Sequence, residues 1–170
     1  MKSTSSIRRI DDLGRIVIPK EIRESLKLLT GSSVDVKQKG KEVVITKHSG
    51  VKNIASIAKM CVDCFEDFGS IYVFVCDMNE IIASNKKCRE LKKNIPVDLY
   101  KCLQNGTIII LQDASTIKFG ETKFASQAIF PISIFSEPSG GLVVMSKSYM
   151  QNFDFAKTIH KFLINYLNLT

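Results

Sequence analysis

The chain has 170 residues, of which 45% are hydrophobic and 24% are charged, as in an ordinary globular protein rather than a disordered one. Its formal net charge of +7 is uneven: residues 1–50 hold 11 Lys and Arg against 6 Asp and Glu, and residues 51–170 hold 13 against 11. No secretory leader and no apolar run of about 18 residues is recognisable, so we expect a cytoplasmic protein without membrane spans. Five cysteines without a disulfide spacing agree with a reducing compartment.

The first 50 residues are basic and contain no aromatic residue, since all 14 Phe and Tyr lie between Phe65 and Tyr166. A basic segment indicates an anionic partner. Proteins that bind single-stranded nucleic acid usually need aromatic side chains on which bases stack. Double-stranded DNA, contacted through phosphates and base edges, is therefore the partner that we expect.

Two short strands, Ser5–Ile10 and Arg15–Ile18, are the first predicted elements, joined by a loop in which Gly14 can adopt positive φ. Pro19 suits the start of a helix that we expect to reach about Leu28. The helix has an apolar stripe and a basic stripe. The apolar stripe comprises Ile22 and Leu26, and the basic stripe comprises Lys20, Arg23 and Lys27.

A hairpin follows, with strands Val34–Gln38 and Glu42–Lys47 around the turn Lys39-Gly40-Lys41. The expected inward side chains are Val34, Val36, Val43 and Ile45. Domains of about 40–60 residues are marginal without further support, and neither a disulfide nor a metal set is available in this one. We therefore predict an obligate dimer, with a tetramer left open, because a dimer also presents two basic surfaces to two DNA half-sites.

The segment Ile7–Arg23 resembles the N-terminal DNA-binding domain of the AbrB-type transition-state regulators, and in particular that of their SpoVT-like members. The shared run is Arg8-Arg9-Ile10-Asp11-Asp12-Leu13-Gly14-Arg15 followed by Val17-Ile18-Pro19-Lys20-Glu21-Ile22-Arg23. The resemblance implies a swapped-hairpin β-barrel dimer with a looped-hinge helix, in which Arg8, Arg15 and Arg23 contact DNA. Glu24 stands where the family often has a second arginine, and Gly31-Ser32 where it often has Gly-Asp.

The candidate DNA-contacting residues are basic side chains of this segment. They are Arg8, Arg9, Arg15, Lys20 and Arg23. Arg8 and Arg9 point to opposite faces of a regular strand, so we favour Arg8 for the groove and expect Arg9 to contact phosphate or pair with Asp11 or Asp12. The alternative is that these side chains are simply solvated.

Residues 51–68 are predicted as a linker helix between a DNA-binding and dimerisation domain, residues 1–50, and a second domain, residues 69–170. Its apolar residues recur at spacings of three and four. They are Val51, Ile54, Ala58, Cys61, Phe65 and Phe68. The helix either links two chains or packs on the sheet of its own domain, and so short a repeat does not decide between them.

Apolar strands, short helices and a final amphipathic helix, Tyr149–Leu169, predict an antiparallel sheet with helices on one side. Two stretches of this segment resemble a GAF domain. They are Val73-Phe74-Val75-Cys76-Asp77 and Ala128-Ile129-Phe130-Pro131-Ile132 followed by Gly140-Gly141-Leu142-Val143-Val144-Met145-Ser146. The resemblance implies a GAF-like α+β domain that takes an unknown small-molecule effector, and SpoVT-like regulators pair these two modules in this order.

No complete catalytic or metal-binding set is visible in the sequence. Cys61-Val62-Asp63-Cys64 is a lone CxxC motif without further ligands, and His48 and His160 are isolated. We therefore expect no catalytic residues, no metal and no cofactor.

Three functions are weighed. The leading one is a nucleoid-associated transcriptional regulator of sporulation or transition-state genes, with a GAF-like effector-sensing or oligomerisation domain. The alternative is the antitoxin of a toxin–antitoxin pair with an AbrB-like fold, although such a protein would normally end in an acidic, disordered peptide. The third is a GAF-type enzyme that uses Cys76, Cys88 or Cys102, for which no activating base is evident.

Overall fold

The computed structural model describes residues 6–26, 28, 30–113, 116–134 and 136–169. The chain divides into two compact units, Met1–His48 and Ser49–Thr170. The first unit contains helix α1 (Lys20–Ser25) and strands β1 (Val34–Lys39) and β2 (Glu42–Lys47). The second contains α2 (Gly50–Asn53), α3 (Ala55–Asp63), β3 (Ile71–Asp77), β4 (Ile81–Ser84), a 3₁₀ helix (Lys86–Glu90), α4 (Val97–Gln104), β5 (Ile109–Gln112), β6 (Ser126–Ile134), β7 (Glu137–Ser146) and α5 (Asp154–Leu167). None of the described helices is long and apolar enough to cross a membrane.

The two strands predicted before α1 are not formed within the single chain. Residues 6–10 and 15–19 carry no strand assignment, and Ser5 lies outside the described residues. A strand needs a neighbour whose N–H and C=O groups complete its ladder, and the described part of this unit supplies none for these residues. Helix α1 also ends at Ser25, earlier than the predicted Leu28.

The predicted hairpin forms, and β1 pairs with β2 in antiparallel register around Gly40 and Lys41, with Gly40 at φ +62°. Val34, Val36, Val43 and Ile45 alternate onto one face, as predicted. That face is not covered within the chain, however, because Val36 and Val43 are 63% and 70% exposed. The prediction that these residues point inward therefore fails for Val34, Val36 and Val43 in a single copy, while Ile45 is half-buried.

The second unit is built on an antiparallel sheet with strand order β4-β3-β7-β6-β5, which confirms the α+β class expected from the GAF resemblance. Successive residues of β3 alternate between two apolar cores: Val73 and Val75 lie in one, and Phe74 and Cys76 in the other. Helices α3 and α5 pack on one face and α4 on the other. The prediction of helices on one side only is wrong, because a strand that is apolar at consecutive positions must bury both of its faces.

Residues 51–68 form two short helices, α2 and α3, and a following turn inside the second unit. Five of the six repeating apolar residues are buried in the core against the sheet. They are Val51, Ile54, Ala58, Cys61 and Phe65. The sixth, Phe68, is 50% exposed. The spacing of three and four therefore reflects packing on the sheet of the same unit.

Strand β7 runs from Glu137 to Ser146 and includes the glycine pair Gly140-Gly141. A Cβ on Gly140 would lie 2.1 Å from the carbonyl oxygen of Cys76, and one on Gly141 would lie 2.4 Å from Leu103 Cδ2. Both glycines are therefore sites of close packing within a strand rather than turn residues.

Candidate nucleic-acid interface

The loop before α1 is organised by Asp11. Its Oδ1 accepts hydrogen bonds from the backbone N–H of Leu13 at 3.1 Å and of Arg15 at 2.8 Å. Its carbonyl accepts the N–H of Gly14 at 2.9 Å, and Gly14 has φ +75°, as the sequence predicted for this turn. One aspartate thus satisfies three backbone donors of the loop and holds it in one conformation.

The same carboxylate holds the side chain of Arg15. Arg15 Nε donates to Asp11 Oδ2 at 2.8 Å, while the arginine side chain remains 71% exposed. The backbone N–H of Arg15, followed by its guanidinium, holds the pKa of Asp11 below its usual value of 3.8. Among the described residues Arg15 uses only its Nε for a side-chain contact, which leaves its Nη1 and Nη2 edge to bind a phosphate or the O6 and N7 atoms of guanine.

Arg8 and Arg9 lie on the segment that precedes this loop, and both are exposed. Arg8 Nη1 donates to the carbonyl of Ile7 at 3.2 Å. The predicted pairing of Arg9 with Asp11 is not found, because Asp11 pairs with Arg15.

Helix α1 carries the other two predicted contacts, Lys20 and Arg23, three positions apart and exposed. The N–H of Arg23 donates to the carbonyl of Pro19 at 3.0 Å, which sets the first turn of the helix. Lys20 Nζ lies 3.7 Å from Glu24 Oε1, with both side chains mostly exposed, so the pair is weak. Glu24 therefore offsets the charge of Lys20. Lys27, the third member of the predicted stripe, lies outside the described residues.

The described arrangement brings all five predicted basic residues to the surface of one small unit, and their contact with DNA stays a prediction. The sequence did not show that Asp11 orders the loop and orients Arg15. Its spacing of four residues before Arg15, across a glycine turn, is the signal that could have indicated this pairing.

The thiols considered for the enzyme hypothesis lie in the second unit. Cys76 and Cys88 are buried, and burial raises the pKa of both, to about 12 for Cys88. Burial likewise raises the pKa of Cys102. A protonated thiol is a poor nucleophile, so these environments give the enzyme hypothesis no support. Among the described residues, no group of His, Cys, Asp and Glu could hold a metal ion.

Residues 7–53 match the family described as antidote-toxin recognition MazE, bacterial antitoxin. The transition state regulatory protein AbrB of Bacillus subtilis (strain 168) is 33% identical over 48 residues, which cover 28% of this chain and 50% of that protein. Stage V sporulation protein T (SpoVT) of the same organism is 31% identical over 153 residues, which cover 86% of each. The chain belongs to the SpoVT-like branch of the AbrB family of transcriptional regulators. The predicted family is thereby confirmed.

Solved structures similar to this SpoVT-like chain include the cofactor binding GAF domain of the nutrient sensor CodY from Clostridium difficile. It has 14% identity and a TM-score of 0.49, and the match covers 87% of this chain and 94% of that one. Another is the phycocyanobilin-bound GAF domain from a cyanobacterial phytochrome, with 13% identity, a TM-score of 0.48, and coverage of 68% and 82% respectively.

Proposed function

We propose that this SpoVT-like protein binds double-stranded DNA through its first unit and regulates sporulation or transition-state genes, at the nucleoid in the cytoplasm. The observation that carries the proposal is the Asp11–Arg15 loop, within the stretch that matches the antitoxin family and resembles AbrB-type DNA-binding domains. A guanidinium held by a carboxylate, near the exposed Lys20 and Arg23 of α1, suits both phosphate anchoring and base contact.

The roles of the five basic residues follow from their positions. Arg15 has an Nη edge without a partner among the described residues and is the best suited to a bidentate contact with guanine or phosphate. Arg23 and Lys20 lie on α1 and anchor phosphates, with Lys20 weakened by Glu24. Arg8 and Arg9 on the segment before the loop complete the basic surface.

The proposed active form is a dimer, with a tetramer as the larger alternative. Large apolar side chains that the single first unit leaves exposed support it. They are Ile7, Ile10, Leu13, Ile16, Val17, Leu26, Val34, Val36 and Val43. So many apolar side chains in so small a unit indicate a surface that another molecule covers. A swapped hairpin from a second copy would cover them and would also complete the ladders of residues 6–10 and 15–19.

The second unit is proposed to sense a small-molecule effector and to set the geometry of the dimer. Its compact α+β fold, with two separate apolar cores, supports a folded regulatory domain. The chemical class of the effector is taken up in the next subsection.

The test begins with selection of genomic duplexes by the purified full chain, followed by fluorescence anisotropy on a selected duplex. Affinity should fall linearly on a log–log plot between about 50 and 200 mM salt, since counterions are released from phosphates. Arg15→Ala and Arg23→Ala should each weaken binding by about tenfold or more. Lys41→Ala, which removes the same charge at the hairpin turn, should bind nearly as the wild type. Full binding by both arginine variants, with the oligomeric state unchanged, contradicts the proposal.

An antitoxin is the second candidate, and the match of residues 7–53 to the MazE family favours it. The second unit opposes it, because residues 49–170 form a packed domain rather than the acidic, disordered peptide that would wrap a toxin. The two candidates differ in a growth assay: an antitoxin's deletion is lethal unless a small neighbouring protein is deleted with it. Viability of the single deletion supports the regulator.

A further inference from the structure

The second unit carries an open groove of about 450 Å³ at the end of the sheet where β3 begins and β7 ends. Ser70, just before β3, and Tyr72, within β3, line it. The 3₁₀ helix and the residue that follows β7 supply its charged walls. These charged residues are Lys86, Lys87, Arg89, Glu90 and Lys147.

The groove concentrates positive charge in a part of the chain that is otherwise nearly balanced. Four cations face one carboxylate, Glu90, although residues 51–170 as a whole hold 13 Lys and Arg against 11 Asp and Glu. In the described part of the chain, none of the four cations forms an ion pair with an acidic side chain. A concave surface lined by one sign of charge focuses its potential and attracts anions.

The backbone beneath the groove is held in place by a buried amide. Asn85 is 1% exposed; its Nδ2 donates to the carbonyl of Ile71 at 2.9 Å, and its N–H donates to the carbonyl of Val73 at 2.9 Å. These bonds tie the start of the 3₁₀ helix to β3. The cationic side chains therefore project from an ordered frame, which lowers the entropic cost of binding.

Two of the cations are also positioned individually. Lys87 Nζ donates to the carbonyl of Gly69, and Lys147 Nζ lies 5.5 Å from the centre of the Tyr72 ring. Both contacts keep an ammonium group at the groove and leave other N–H donors of that group for a ligand, since each ammonium has three.

We propose that this groove binds a small molecule that carries two or more adjacent phosphate groups, such as a nucleoside polyphosphate. Its size is that of a small-ligand site. One ligand can pair with several neighbouring cations at once only if it carries several neighbouring anionic oxygens. Adjacent phosphate groups supply such a set, and a single carboxylate does not. The inference rests on the proposed sensing role of the second unit and names the class of its effector.

Duplex DNA is the competing source of phosphates, and two observations oppose it. The groove is concave rather than an extended basic stripe, and its unit has little net charge to attract a polyanion. Binding of DNA here is therefore an outcome that would overturn the proposal.

The test uses the full chain, isothermal titration calorimetry, and inorganic tripolyphosphate and ATP as separate probes in magnesium-free buffer. Wild-type protein should bind one tripolyphosphate per chain. Lys86→Glu/Arg89→Glu should weaken binding about tenfold or more, since each charge-assisted hydrogen bond contributes strongly to affinity. The matched variant Lys161→Glu reverses an exposed charge of the same unit outside the groove and should change affinity less than about twofold.

A milder change, Arg89→Gln, guards against misfolding and should cause a partial loss with an unchanged melting temperature. The double variant Arg15→Ala/Arg23→Ala should keep full affinity for tripolyphosphate, which separates this proposal from DNA binding. Loss of tripolyphosphate binding in that arginine variant would locate the anion on the first unit and overturn the proposal. Equal binding by all variants, no saturable binding of either probe, or loss of duplex binding in the groove variant would overturn it as well.

Discussion

Replacement of Asp11 by asparagine separates the orientation of Arg15 from its charge. Asp11→Asn keeps one oxygen that can accept the N–H groups of Leu13 and Arg15, and it then places an NH₂ donor where Oδ2 now accepts from Arg15 Nε. The guanidinium keeps its charge and loses its anchor. Simple electrostatics predicts tighter DNA binding, because a negative charge is removed from a basic surface. Our model of the interface predicts weaker binding.

The expected change in the salt dependence of DNA binding follows from the number of charges lost. Arg15→Ala removes one phosphate-neutralising charge per chain, or two per proposed dimer, so the log–log salt slope should decrease by about 1.8. When salt rises fourfold, the wild type should therefore lose about twelvefold more affinity than Arg15→Ala loses. Asp11→Asn should leave the slope unchanged and weaken binding about tenfold at every salt concentration, the scale of one charge-assisted hydrogen bond to an oriented arginine.

Fluorescence anisotropy on the selected duplex, at several salt concentrations, measures both quantities. Asp12→Asn is the matched control, since it removes the same charge from the neighbouring exposed position and should bind DNA as well as or slightly better than the wild type. If Asp11→Asn also binds as tightly as Asp12→Asn, the carboxylate does not position Arg15 for DNA and the reasoning is refuted.

Two further predictions concern assembly and pH. Val36→Lys places a charge on the exposed face of the β1–β2 hairpin and should shift the sedimenting species towards monomer. The control Val97→Lys, at a similarly exposed site of the second unit, should not cause this shift. Equal sedimentation of both variants counts against the proposed dimer face. Burial lowers the pKa of His160 below its usual 6.5, so the folded state resists a proton that the unfolded state accepts. The thermal stability of the second unit should therefore fall from about pH 7.5 to 5.5, and His160→Gln should flatten that dependence by keeping a donor to the carbonyl of Pro131. An identical slope in the variant would assign the pH dependence to other groups.

The sequence alone determined the features that depend on local backbone chemistry. Gly14 and Gly40 adopt the positive φ that their turns require, and α1 starts directly after Pro19. Helix α4 starts directly after Pro96 as one of the expected short helices, because a preceding proline and apolar spacing are local signals. The motif around Arg15 was likewise sufficient to identify the family, since it is contiguous in the chain.

Tertiary structure alone decided whatever depends on pairing between distant residues or chains. Residues 6–10 have strand-like composition yet have no strand partner among the described residues, because hydrogen-bond ladders are non-local. The consecutive apolar residues of β3 indicate that both of its faces are buried, but only the structure showed that α4 covers the second face of the sheet. The basic groove joins Tyr72, Lys86 and Lys147, which the antiparallel pairing of β3 with β7 and the Asn85 anchor bring to one end of the sheet. No periodicity in the sequence encodes such a juxtaposition, since it arises from strand order and register.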